Sequence, residues 1–218
     1  MACDSNGQVI ETRRASFRWT AVETLLATSA ALLLSLHFAS SLVWLLLPLG
    51  LLVSFGRPLS EHGLDLRFRP PSFAVHLALG TSLLALYAAL HASVAHAFLH
   101  QSFAPRAPRH TLVDLVREFL TVGFPEEVFF RGYLQTRWNR VLGKTWRIFG
   151  APVGVGLLLQ AILFTACHLV TGNWTQLSVF FFALLAGWLR ERSDSVLAPA
   201  VYHAVANLWY RVLVASFR

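Results

Sequence analysis

Glu126, Glu127 and Arg131 sit in an otherwise apolar stretch, at spacings that would bring them together on a helix. Glu127 and Arg131 are four apart and can pair. Glu126 lies about 100° round from Glu127, so one guanidinium does not easily satisfy both acids. A carboxylate held in a low-dielectric setting retains its proton more readily and suits general acid or base work. The same residues would equally serve as an ion pair between packed helices. Phe164 and His168 form a second group, with the histidine one turn beyond the ring and near the end of an apolar run. Alone, such a histidine is as readily a packing residue. His203 and Asn207 form a third, four apart on one face, as interhelical hydrogen-bonding groups or as two donors aimed at a developing oxyanion.

The three groups fall on three separate apolar segments. Each ionisable group in a bilayer costs at least about 2.5–3.5 kcal/mol. Convergence into one buried polar site would relieve all three segments at once. It would also bring a base, a water and an oxyanion site within reach of each other.

The elements that must position them read as membrane helices. The 218 residues are 56% hydrophobic and 13% charged, with a mean hydropathy of +0.56, against about 25% charged in ordinary soluble domains. Seven Trp and seventeen Phe fit bilayer interfaces and helix packing. The expected fold is all-α, a polytopic transmembrane bundle of about seven spans within a range of six to eight. The net charge of +7 falls in short clusters between apolar runs and forms no stripe, so nucleic acid is not an expected partner. Cys3 and Cys167 have no metal spacing and are not expected to pair.

Residues 1–18 read as a cytoplasmic polar tail and 19–110 as N-terminal transmembrane helices. Residues 111–214 read as the catalytic transmembrane core and 215–218 as a short tail. The first run, from Trp19, is expected to be a retained span and not a cleaved signal. The second, Leu42–Phe55, is the weakest, with Pro48 inside it. A third occupies 73–99 and a fourth 111–140, the latter with Pro125 as a helix start or kink. The rest are expected at 151–170, 174–189 and 196–214. With the N-terminus inside, twelve basic residues fall on the cytoplasmic side, among them Arg57, Arg67, Arg69, Arg137, Arg140, Lys144 and Arg190. Four, Arg106, Arg109, Arg211 and Arg218, fall outside, as the positive-inside rule requires.

EExxxR, then FxxxH, then HxxxN, in this order on late spans, resembles the signature of the CPBP family of intramembrane proteases, which includes CAAX prenyl endopeptidases. The likeness covers roughly residues 111–210, and no motif position departs from it. It implies a glutamate-dependent hydrolase in which Glu126 and His168 activate a water, and His203 and Asn207 stabilise the oxyanion. It implies further that Glu127 and Arg131 orient the site and that Phe164 packs beside the substrate. Glu126, His168 and His203 could alternatively form a three-ligand zinc site. The metal-free reading is preferred, because Asn207 is a poor zinc ligand and no HExxH pair is present. Expected partners are membrane lipid and a protein or peptide with a C-terminal sorting or prenylated tail. The expected location is a bacterial inner membrane. A non-enzymatic immunity or scaffold protein that binds a peptide in the same cluster is the alternative. A proton-coupled carrier ranks last, since there is no second copy of the acidic segment.

Overall fold

A computed structural model describes residues 4–64, 70–98, 100–106, 111–172 and 174–217, with the backbone alone for 4–14, 70–77, 174 and 175. Cys3, Arg67, Arg69, Pro108, Arg109, Asn173 and Arg218 lie outside the described residues. Seven helices are formed among them: α1 (Asp4–Phe38), α2 (Val43–Ser54), α3 (Pro70–Ala97), α4 (residues 111–142), α5 (Val155–Thr171), α6 (Val179–Ser193) and α7 (Leu197–Ser216). The all-α expectation holds.

Three local differences from the sequence reading have physical causes. First, the polar tail is helical from Asp4 and runs without a break into the first apolar run, so 18/19 is no structural boundary. Second, residues 151–153 are not part of the fifth helix. Ala151–Val153 pairs antiparallel with Trp146–Ile148, closed by Phe149 and Gly150, both at positive φ, as a tight hairpin turn demands. Ala151 and Val153 pack on Leu157, Trp188 and Leu189, which gives that strand a core face to bury. Third, α6 does not stop before Arg190. It continues to Ser193 because Arg190 and Glu191 are buried with partners.

α4 is the centre of the molecule. Phe129, Phe130, Tyr133 and Leu134 are fully buried and pack with Ala27 and Ala31 of α1, Trp44 and Leu52 of α2, Ala161 and Phe164 of α5 and Ala183 of α6. The helix is continuous, but Phe119–Gly123 and Val128–Gln135 are wound as π-helix, on either side of the short α-helical segment Phe124–Glu127. Pro125 lacks an amide hydrogen and its ring crowds the preceding turn. The wider π winding just before it lets the helix pass through without ending.

Many large apolar side chains on the outside are exposed, among them Leu33, Leu46, Val53, Leu90, Leu112 and Phe181. By length and composition, Ala15–Phe38 and Ala78–Ala97 can cross a membrane. Val43–Ser54 and Val155–Thr171 are apolar but shorter; twelve residues of helix reach only about 18 Å of a roughly 30 Å hydrocarbon layer. The described helices thus supply two clear spans against the expected seven.

Candidate active site

Close helix approach sets the site. Gly123 of α4 lies where a Cβ would stand 2.9 Å from the Ala200 carbonyl oxygen and 3.4 Å from the Ala204 nitrogen of α7. A residue without a side chain at that position lets the two backbones nearly touch. The acids one turn further along α4 therefore meet His203.

Glu127 and Arg131 are both completely buried, and Glu127 Oε1 lies 2.9 Å from Arg131 Nη1. The same Oε1 accepts a 2.8 Å hydrogen bond from His203 Nδ1–H. That bond fixes the ring, so His203 Nε2 faces Glu126, 3.8 Å from Oε2. The Arg131 guanidinium is held over the Phe164 ring, 4.3 Å from its centroid, a favourable cation–π placement in a desolvated setting. The same ring also neighbours His168, with centroids 4.3 Å apart, and His203, at 5.9 Å. Phe164 is thus the hub on which the three motif groups meet. His168 Nδ1–H donates to the Phe164 carbonyl oxygen, 2.9 Å away, which leaves Nε2 as the acceptor nitrogen. Oε2 of Glu126 and Oε2 of Glu127 are buried and have no hydrogen-bond partner.

Asn207 does not join the acids. It lies one turn beyond His203 and donates from Nδ2 to Glu118 Oε2 at 3.4 Å. Glu118 in turn accepts from Arg211. Glu118 belongs to none of the three groups picked out from the sequence. Among the described residues, no three His, Cys, Asp or Glu side chains come together as a metal ion would need.

Two further buried acids were not read from the sequence as a site. Glu23 of α1 accepts from Arg57, from Tyr133 at 2.6 Å and from Arg137 at 2.8 Å. Glu191 of α6 accepts from Gln135 at 2.7 Å and Asn139 at 2.8 Å and pairs with Lys144. A lone acid inside the first apolar run was the available signal for Glu23, because an ionisable residue there needs a partner. In the turn after α2, His62 is fully buried and donates from Nδ1 to the Pro58 carbonyl oxygen at 2.9 Å. Burial pushes its pKa down to about 4 against that bond, and the nearby cations Arg140, Arg137 and Arg57 push the same way.

Comparison with the curated proteins and with the solved structures finds no match. The family model described as Rce1-like, type II CAAX prenyl endopeptidase, matches residues 108–209. Those residues carry the acidic pair with its arginine, the Phe–His pair and the His–Asn pair in order, and this stretch of the chain is similar to that family of CAAX-type, membrane-embedded proteases.

Proposed function

We propose that the protein is a glutamic intramembrane endopeptidase that hydrolyses a peptide bond in a membrane-tethered or C-terminal-tail substrate, without a metal ion. The observation that carries this is Glu126 Oε2, a buried carboxylate oxygen with no protein partner, 3.8 Å from an imidazole already oriented by Glu127. A base must have an open lone pair to take a proton; Glu127 is already engaged through Oε1 by Arg131 and the His203 Nδ1–H, whereas Glu126 accepts a hydrogen bond from neither.

In the proposed reaction a water is held between Glu126 and His168 Nε2. Glu126 takes one of its protons as the oxygen attacks the scissile carbonyl carbon. The carbonyl π electrons move to oxygen, and that oxyanion is stabilised by an Asn207 amide N–H and by Nε2–H of His203 in its imidazolium form, whose Nδ1–H stays on Glu127. Collapse breaks the C–N bond, and the proton on Glu126 passes to the leaving amine. Arg131 and Glu127 fix the His203 ring and the local field, and Phe164 packs beside the substrate. A seven-span arrangement with a cytoplasmic N-terminus, in a bacterial inner membrane, is part of this proposal. It is supported by the family, the apolar exterior and the distribution of arginines. The substrate tail, sorting-type or prenylated, enters from lipid.

The test is cleavage by the purified full chain of two fluorogenic peptides, a farnesylated Cys-aliphatic-aliphatic-X peptide and an unprenylated apolar tail peptide, in heavy-oxygen water. One new carboxylate carrying the heavy isotope is expected. Tight binding of either peptide without cleavage would establish the scaffold reading instead.

A further inference from the structure

Asn207 is assigned above to the oxyanion, yet its one hydrogen bond runs the other way, from Nδ2 to Glu118 Oε2 at 3.4 Å. An asparagine amide has two N–H donors on nitrogen and only lone pairs on oxygen. If the amide turned over, Oδ1 would face the developing oxyanion and repel it. An ionised carboxylate accepts and cannot donate, so Glu118 can bond the nitrogen end of the amide and never the oxygen end. One N–H is thereby spent on Glu118 and the second stays free. Asn207 lies one helical turn from His203, on the same face of α7.

Glu118 is itself held. Arg211, one turn beyond Asn207 on α7, pairs with its Oε1 and also lies 3.9 Å from Asp114. Asp114 is paired with Arg117 at 3.0 Å. The guanidinium offsets the negative charge that Glu118 would otherwise set beside the oxyanion. The Glu118 side chain is 13% exposed and that of Arg211 45%.

We propose that Glu118, anchored by Arg211, is a positioning residue that locks the Asn207 amide with its nitrogen toward the substrate carbonyl. This deepens the proposed peptidase reading and rests on it.

The test is a double-mutant cycle on kcat, with the full-length protein and whichever of the two fluorogenic peptides the wild type cuts. Loss of a single oxyanion donor lowers kcat by about 10²–10³, and Asn207→Ala is expected in that range. Glu118→Ala is expected to lower kcat roughly tenfold, with KM within about twofold, since the amide would then sample both orientations. Combined with Asn207→Ala it should add nothing further. Glu118→Gln, which can accept or donate, should fall between wild type and Glu118→Ala. If Glu118→Ala fails to fold, Arg211→Ala, which frees the carboxylate, reads the same coupling. Full additivity, or a change confined to KM, would overturn the proposal while leaving the peptidase reading intact. Full activity in Asn207→Ala would overturn the proposal together with the oxyanion role of Asn207, again leaving the peptidase reading intact.

Discussion

Two buried acidic clusters flank α4, and they are built differently. Around Glu23 both carboxylate oxygens are engaged: Arg57 and Arg137 pair with it, and the Tyr133 hydroxyl donates to it. Around Glu126 and Glu127 the match is incomplete. One oxygen of Glu127 serves both Arg131 and His203, while Oε2 of each acid is buried and accepts no hydrogen bond. A carboxylate saturated with donors is a strut; it ties α1 and the turn after α2 to the helix that carries the site. A carboxylate left short of donors is costly to keep, and in the proposed reaction that cost keeps a group ready to take a proton. Partner count, more than burial, separates the two.

The comparison breaks most visibly if the two acids respond alike. Glu126→Gln should lower kcat by roughly 10²–10⁴ with an unchanged thermal midpoint, read by cleavage and by melting of the same preparation. Glu23→Ala should do the reverse. It strands Arg57 and Arg137 together, costs about 3–5 kcal/mol, and leaves the folded fraction active. Loss of kcat at normal stability in that variant would make the first cluster part of the chemistry.

The third prediction concerns pH. His62 is neutral in the fold, with its pKa pushed down to about 4, against an ordinary value of 6.5. Between those values the unfolded chain binds a proton that the folded one does not. Stability should therefore fall as pH drops from about 6.5 toward 4, by about 3 kcal/mol at most. Melting across that range, with His62→Gln flattening the slope, checks it; an unchanged slope in the variant refutes it. The smallest effect concerns the helix approach. Gly123→Val must push against Ala200 and Ala204 and should cost about 1–3 kcal/mol. It should also lower kcat further than the lost stability explains, because α4 moves away from His203.

The acidic and histidine positions were legible in the sequence because a helix repeats and a polar residue in an apolar run is conspicuous. Glu126, Glu127, Arg131, Phe164, His168 and His203 lie together in space. Other features left no such mark. The π winding on either side of Pro125 has no residue pattern of its own. The hairpin at 146–153 is a strand only because Ala151 and Val153 find a buried face. Glu23, Glu118 and Glu191 each look like a single acid in sequence, and their meaning depends on arginines, an asparagine and a lysine brought in by other segments.

The central claim is that Glu126 is the base and that no metal takes part. It is tested most directly by cleavage of the two peptides by wild type and Glu126→Gln, each with and without a strong chelator. The account predicts activity in the wild type with or without chelator, and none in Glu126→Gln. Activity abolished by chelator and restored by zinc would contradict it and make Glu126, His168 and His203 metal ligands.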